Sequence, residues 1–300
     1  MVLATFVLLQ AFRLIHLLLP SKSTESVLVI PFQLIIFLLP AFLFAKFKNP
    51  SSPLEYIFRL RMKSPKVYQL PLIAISIPLL ASGCLLLSIT FGGISSLSDG
   101  FTLYNTFVSR TSFGFFETLY LILAYAAVPA ICEELIFRAI LCREFEKYGP
   151  VCAIAISSVF FALLHFDLSL FPVYLFSGIL LSLSMYATGS AIVPMIIHFF
   201  YNVIGLFGQP FLSSLYEVTG GSLGLFSFIA LMFTLLFAAL FCHFASKSYE
   251  RRAKFSNMKK RPILPSQNAL VLAVSDILLT PWSIAAVCFY IVVMVIYSLI

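Results

Sequence analysis

The stretch Ile131–Leu141, ICEELIFRAIL, places two adjacent carboxylates and one arginine inside a long apolar run. A charged residue at the centre of a bilayer costs roughly 2.5–3.5 kcal/mol on the insertion scale. Glu133, Glu134 and Arg138 would together offset much of the gain from the apolar side chains around them. Ionisable groups at such depth are rare, and they mark functional sites. The stretch therefore indicates a function that needs charge inside the membrane.

The whole chain has the composition of a membrane protein. Of its 300 residues, 61% are hydrophobic and 10% are charged, whereas soluble domains carry about 25% charged residues. We therefore predict an all-α fold, a polytopic transmembrane helix bundle. The net charge of +7 does not indicate nucleic acid, because the basic residues concentrate in two loops, at 46–67 and 246–262, as the positive-inside bias predicts.

Nine apolar segments approach the roughly 20 residues that cross a bilayer. They lie at about 2–20, 27–45, 69–92, 114–147, 151–166, 170–187, 190–207, 221–245 and 279–300. Six of them separate the two basic loops, so both loops can be cytoplasmic with the N-terminus inside. We expect a multi-pass protein of the cell membrane, compatible with a bacterial plasma membrane.

The predicted organisation has three parts. Residues 1–112 form N-terminal spans, residues 113–210 form a core of about four to five helices with the candidate site, and residues 211–300 form C-terminal spans. Within the core, segment 114–147 would extend for about 51 Å as a helix, too long for one perpendicular crossing. Pro129 lies four residues before Glu133, and a proline there removes a backbone hydrogen bond. We predict a bent or tilted helix with its irregularity beside the charges.

Two of the four histidines, His165 and His198, lie in apolar segments. Glu133 and His165 are almost equally far from the Gly149–Pro150 turn, so antiparallel helices would hold them at the same height, about 22–24 Å from it. His198 lies about 14 Å along its own segment and should be somewhat shallower unless the helices tilt. Asn202 follows four residues later, on the same helix face.

Spacing also separates the two carboxylates. Glu134 and Arg138 are four residues apart, in the favourable acid-before-base order for a helical ion pair. Glu133 is rotated by about 100° and has no basic neighbour in register, so it is the candidate general base. Each feature has a structural alternative: an ion pair that only neutralises charge, a histidine that only packs, and an asparagine that only links helices.

The ordered motifs are similar to those of the CPBP family of intramembrane proteases, which includes the CAAX prenyl endopeptidases and the Abi proteins. The matching sets are Glu133-Glu134-x-x-x-Arg138, Phe161-x-x-x-His165 and His198-x-x-x-Asn202. Ala139 follows the arginine, where many members have glycine. The resemblance implies endoproteolysis of a peptide or protein substrate within or beside the bilayer; in the eukaryotic branch the substrate carries a prenylated C-terminal tripeptide.

The resemblance implies four catalytic residues: Glu133, His165, His198 and Asn202. In the metal-free version, Glu133 and His165 activate water, and His198 and Asn202 stabilise the oxyanion. Glu134, Arg138 and Phe161 then support the site. In a metal-dependent version, His165, His198 and Glu134 would hold Zn²⁺ or another divalent metal, although the chain lacks an H-E-x-x-H motif.

Two functions of other classes use the same residues. Intramembrane Glu and His side chains also form proton relays in transporters, but those proteins have repeats of broken helices, which this sequence does not show. A non-catalytic scaffold that packs against a partner membrane protein is the other alternative.

Overall fold

The computed structural model describes residues 1–18, 22–58, 62–92, 114–256, 267–278 and 280–299. Within these ranges every regular element is helical, and no strand occurs, which confirms the predicted all-α fold. The helices are α1 (Val2–Leu18), α2 (Lys22–Lys48), α3 (Pro53–Phe58), α4 (Leu70–Gly92), α5 (Phe115–Tyr148), α6 (Pro150–Leu164), α7 (Phe171–Thr188), α8 (Ile192–Phe207), α9 (Gln209–Val218), α10 (Leu223–Ser256), α11 (Gln267–Leu278) and α12 (Pro281–Leu299).

A helix lies at each of the nine predicted apolar segments. Among the described residues, six helices are long and apolar enough to cross a bilayer, within α2, α4, α5, α7, α10 and α12. A seventh span results if α8 and α9, which meet at an angle of 68°, are counted together. The segment Val2–Ile15 and helix α6 are apolar but shorter. The chain is thus a multi-pass membrane protein, and a total of nine crossings stays a prediction.

Some predictions concern residues that the structure does not describe. The boundary between residues 112 and 113 lies outside the described ranges, as do parts of the two basic loops, at 59–61 and 257–262. The division into three parts stays a prediction.

Helix α5 contains the predicted irregularity, and its form is π-helical. Two π-helical stretches, Leu123–Ala127 and Leu135–Leu141, flank the regular segment Val128–Glu134. Pro129 lies at the start of that regular segment. A π-helical turn accommodates one extra residue, and such turns are frequent at functional sites. The second stretch is buried along its whole length, so the distortion lies within the core.

Close approach of α6 and α7 sets the width of that core. A Cβ atom added to Gly178 of α7 would lie 2.9 Å from the Ser158 Cα of α6. Small residues at such crossings let helix backbones approach closely in membranes, where lipid tails are as apolar as the side chains. On the other side of α6, the Ser157 hydroxyl donates a hydrogen bond of 2.7 Å to the Phe137 carbonyl of α5. Helix α6 therefore packs closely against both α5 and α7.

The end of α5 beyond the apolar core has a polar group that we call the outer cluster: Lys48, Tyr56 and Glu144. The Glu144 carboxylate accepts hydrogen bonds from Lys48 Nζ at 2.6 Å and from the Tyr56 hydroxyl at 2.9 Å. The Lys48 and Glu144 side chains are 38% and 28% exposed. Burial, together with the Glu144 hydrogen bond, raises the pKa of Tyr56 to about 12, so its hydroxyl remains a donor.

Candidate active site

Three side chains form a buried polar cluster between α5 and α8: Glu134, Arg138 and His198. Glu134 Oε1 accepts hydrogen bonds from Arg138 Nη1 and from His198 Nδ1, both at 2.9 Å. The Glu134 and Arg138 side chains are fully buried, and that of His198 is 8% exposed. The ion pair predicted from the four-residue spacing is present, and the histidine of another helix shares its carboxylate.

Arg138 links this cluster to two further helices. Its Nη2 donates to the Gly178 carbonyl of α7 at 3.3 Å, and its guanidinium lies over the Phe161 ring of α6, 4.2 Å from the ring centre. A desolvated cation over an aromatic face is stabilised by the ring quadrupole. Gly178 is also the residue at which α7 approaches α6 closely enough to exclude a Cβ atom. Arg138 thus has partners on α5, α6 and α7.

Glu133 has a different environment from its neighbour. Among the described residues it makes no hydrogen bond or ion pair, and its Oε2 is buried without a partner. Buried polar atoms in native proteins are almost always satisfied, so this oxygen is an acceptor available to water or substrate.

His165 lies at the end of α6, where its two ring nitrogens have different roles. Nδ1 lies 2.9 Å from the Phe161 carbonyl oxygen. A carbonyl only accepts, so Nδ1 carries the proton and Nε2 of the neutral ring is an acceptor. The imidazole stacks on Tyr174 of α7, with ring centres 3.7 Å apart and an interplanar angle of 15°. The hydrogen bond to Phe161 and the stacking on Tyr174 together fix the orientation of the His165 ring.

The two imidazoles border the same phenyl ring. The Phe161 ring centre lies 5.1 Å from that of His165 and 6.0 Å from that of His198. Asn202 follows His198 by one helical turn on α8 and is half-buried. In the ranges that the structure describes, its side chain has no hydrogen bond, so both amide N–H donors are available.

The predicted difference in height does not keep His198 from the carboxylates. The sequence predicted that His198 would lie shallower unless the helices tilt, and in the structure its Nδ1 bonds directly to Glu134. The prediction counted 1.5 Å per residue along regular helices, whereas Leu135–Leu141, on the path from Glu134 to the turn at Gly149, is π-helical. The resemblance implied that His198 binds the substrate oxygen or a metal, and in the structure one of its ring nitrogens is bonded to Glu134.

Sequence reasoning missed Tyr174 and Phe166, which contact or adjoin His165. The chain contains 33 Phe and 13 Tyr, so an aromatic residue in an apolar segment carries no signal of its own. The only indication was position, since Phe166 directly follows a histidine that the motif had identified.

The metal-dependent alternative needs His165, His198 and Glu134 to converge as ligands. Throughout the part of the chain that the structure describes, no three His, Cys, Asp or Glu side chains are arranged to hold a metal ion. Glu134 Oε1 and His198 Nδ1 are bonded to each other, and His165 Nδ1 is bonded to backbone. These residues do not fit a three-ligand site in this arrangement, and metal dependence stays a prediction.

Comparison with known proteins points to one family. Residues 115–204 match the family described as "Type II CAAX prenyl endopeptidase Rce1-like", and this segment contains all seven site residues predicted from the sequence. The chain is also 27% identical over 196 residues to the "Membrane-embedded CAAX protease MroQ" of Staphylococcus aureus (strain USA300). That alignment covers 60% of this chain and 73% of the relative. No solved structure gives a significant match.

Proposed function

We propose that the chain, whose residues 115–204 match a family of CAAX prenyl endopeptidases, is an intramembrane endopeptidase of the CPBP family. It hydrolyses a peptide bond of a membrane-associated or lipidated peptide or protein, with a water molecule activated by Glu133 and His165. The observation that carries this proposal is the contrast between two adjacent carboxylates. Glu134 is bonded to Arg138 and His198, whereas Glu133 Oε2 is buried with no partner among the described residues.

The first step is activation of water. The Glu133 carboxylate takes a proton from water, and the neutral His165 accepts a hydrogen bond at Nε2, which orients the oxygen toward the substrate. The nascent hydroxide forms a bond to the carbonyl carbon, and the electron pair of the C=O bond moves to oxygen. A buried carboxylate is suited to this task because few solvent molecules compete for it.

The second task is to stabilise the oxyanion. Asn202 donates from its amide N–H. His198 already donates Nδ1–H to Glu134, so it donates from Nε2 only when its ring carries both protons. The Glu134 carboxylate stabilises that imidazolium. Glu133, Glu134, Arg138 and His198 then form a group of two negative and two positive charges, which lowers the cost of burial in an apolar bundle.

The last step breaks the C–N bond. The proton held by Glu133 moves to the leaving nitrogen, which departs as an amine, and the acyl fragment leaves as a carboxylic acid. Glu133 returns to its ionised state, so the cycle consumes one water and needs no other reactant. Arg138, fixed by Glu134, Gly178 and Phe161, maintains the relative position of α5, α6 and α7 throughout.

The names of the matching family and of the similar protein suggest the first substrates to test, which are peptides that end in a prenylated CAAX sequence. The purified protein is reconstituted in lipid nanodiscs and given a fluorogenic peptide panel, prenylated, acylated and unmodified. We predict that Glu133→Gln lowers kcat by about 10²–10⁴-fold, because an amide cannot accept the proton. The folded state should be preserved, since Glu133 makes no hydrogen bond or ion pair among the described residues.

Glu144→Gln is the matched control, since it makes the same chemical change on the same helix in the outer cluster. It should retain cleavage within about twofold. Near-wild-type cleavage by Glu133→Gln contradicts the proposal. Cleavage also separates the proposal from the transporter and scaffold alternatives, because neither hydrolyses peptides. The metal content of the same preparation, measured for wild type and His198→Ala, tests the metal-dependent version.

A further inference from the structure

Phe166, directly after His165, has an unusual backbone conformation. Its φ is 51°, and it is the one non-glycine residue with positive φ in the described ranges. The left-handed region costs a residue with a Cβ roughly 1–2 kcal/mol. Strained residues persist only where the surroundings determine them, and they concentrate at functional sites. The question is what holds Phe166 in place.

The first and last helices enclose its side chain. Phe166 is 4% exposed. Its ring stacks on Tyr290 of α12 with centres 5.2 Å apart, and the Phe6 ring of α1 meets it edge-on at 5.4 Å. Phe289 of α12 completes the enclosure at 6.5 Å. Aromatic pairs of this kind contribute about 0.5–1.5 kcal/mol each beyond their buried area, enough in sum to offset the backbone strain.

A cation of α1 contacts the same turn. Arg13 Nη2 donates a hydrogen bond to the His165 carbonyl oxygen at 3.4 Å, and its guanidinium lies 5.8 Å from the Phe166 ring centre. Arg13 Nη1 donates to the Tyr297 hydroxyl of α12 at 3.4 Å. Cations at a helix C-terminus stabilise its unpaired carbonyl groups. Arg13, in a largely apolar helix, thus connects the end of α6 with α12.

We infer that α1 and α12 position His165 for catalysis by holding the backbone of the turn at Phe166. Phe166 and Arg13 are positioning residues, because they act on the backbone of His165 and not on substrate. The backbone conformation at Phe166 turns the chain away from the axis of α6 directly after His165. This turn holds the His165 backbone where the His165 ring stacks on Tyr174 of α7. This inference rests on the proposed function, and it assigns a role to helices outside the segment that matches the family.

Simple packing of two apolar helices is the alternative. It predicts that any loosening of α1 lowers stability without a specific effect on the reaction. Two aromatic residues of α1 separate these possibilities. Phe6 contacts Phe166, whereas Phe12 contacts Phe32 of α2, with ring centres 4.3 Å apart. Phe12→Ala is therefore the matched control for Phe6→Ala.

The kinetic test uses nanodisc-reconstituted full-length protein and the peptide cleaved best by wild type. Arg13→Met and Phe6→Ala should lower kcat by roughly 10–100-fold, the range expected when a catalytic group is displaced by about 1 Å, with KM within about twofold. Phe12→Ala should keep kcat within about threefold. Arg13→Lys should restore most of kcat, because an ammonium can also donate to the His165 carbonyl. Arg13 is exposed, so Arg13→Met tests the inference even where Phe6→Ala does not fold.

A second measurement needs no peptidase activity. The amides of His165 and Phe166 donate to the Ala162 and Leu163 carbonyls, both at 3.2 Å, and their hydrogen exchange reports the turn. Exchange in a peptide covering 161–170 should rise at least about tenfold in Arg13→Met and stay near wild type in Phe12→Ala. Unchanged exchange overturns the inference, and so does faster exchange with unchanged kcat. A wild type that cleaves no peptide of the panel overturns the proposed function instead, so the two failures are distinguishable.

Discussion

Helix α5 contributes a carboxylate to each of two polar clusters, one buried and one partly exposed to solvent. In the buried polar cluster, Glu134 bonds to Arg138 and His198, and the two α5 side chains are fully buried. In the outer cluster, Glu144 bonds to Lys48 and Tyr56 with its side chain 28% exposed. In both clusters a carboxylate of α5 accepts one hydrogen bond from a basic side chain and one from a ring-bearing side chain, at 2.6–2.9 Å. What differs is whether water can replace a lost partner.

The difference in access to water predicts different roles for the buried polar cluster and the outer cluster. An exposed ion pair contributes about 0–1 kcal/mol, because solvent competes for both partners. A buried pair adds little net stability compared with apolar residues, yet breaking it leaves an uncompensated charge. The buried polar cluster is therefore more valuable for orienting α5 toward α8 than for stability. The outer cluster only adds to the stability of a helix end.

The largest effect on stability is expected for Arg138→Met. This change leaves Glu134 with His198 as its remaining partner and removes the contacts to Gly178 and Phe161. We expect a loss of about 3–5 kcal/mol in the free energy of unfolding, measured by denaturant titration in detergent. A loss below about 1 kcal/mol, equal to that of Lys48→Met, would remove the distinction between the two clusters.

The double variant Glu134→Gln with Arg138→Met sharpens this result. It removes both charges of the pair, so it should be more stable than Arg138→Met by at least about 1 kcal/mol, within the range of coupling energies for residues in contact. Additive losses in this double-mutant cycle would show that Glu134 and Arg138 are not coupled. His198 keeps an amide oxygen as acceptor, which separates the effect of charge from that of the hydrogen bond.

A middle-sized effect is expected for Gly178→Ala, which alters the backbone that Arg138 contacts. The new methyl group would lie 2.9 Å from Ser158 Cα, so α6 and α7 must separate. We expect a loss of about 1–3 kcal/mol, typical of overpacked cores, and reduced cleavage. Gly205→Ala is the control, because a Cβ atom there meets nothing within 4 Å; that change should be neutral or stabilising. Equal thermal shifts for the two variants would contradict the close-packing argument.

The smallest effects are expected in the outer cluster. Lys48→Met and Tyr56→Phe should each cost less than about 1 kcal/mol, with cleavage unchanged. The effect of Lys48→Met should also shrink as salt is raised from 0.01 to 1 M, because exposed charges are screened over a few ångströms at high ionic strength. A salt-independent loss of several kcal/mol would mean that the outer cluster resembles the buried one.

Local spacing predicted those parts of the site that lie within one helix. The Glu134–Arg138 pair follows from a four-residue interval, and the shared face of His198 and Asn202 from another. The rarity of histidine among apolar residues identified His165. Contacts between helices were harder to predict, because they depend on packing angles and on the π-helical stretch of α5. Pairing of His198 with Glu134, and stacking of His165 on Tyr174, belong to this second class.

The fold shows the same division. Hydrophobic segments predicted a helix at each of nine places, because apolar composition in a membrane requires internally satisfied backbone groups. The lengths were less predictable, since α6 has only 15 residues and α8 continues into α9 after a bend of 68°. The enclosure of Phe166 by the first and last helices could not be predicted from motifs, because its aromatic partners are distant in the chain.

The π-helical stretch Leu135–Leu141 has a consequence for tolerance to insertion and deletion. The extra residue in a π-helical turn changes the direction in which all later side chains of α5 point. Deleting that residue would restore a regular helix and rotate the rest of α5 by about 100°. Glu134 would keep its direction while Cys142 and Glu144 pointed elsewhere. The number of residues between Glu134 and Glu144 therefore determines how the two clusters are oriented on α5. Deletion of one residue in this stretch should be tolerated less well than most substitutions of the same residue.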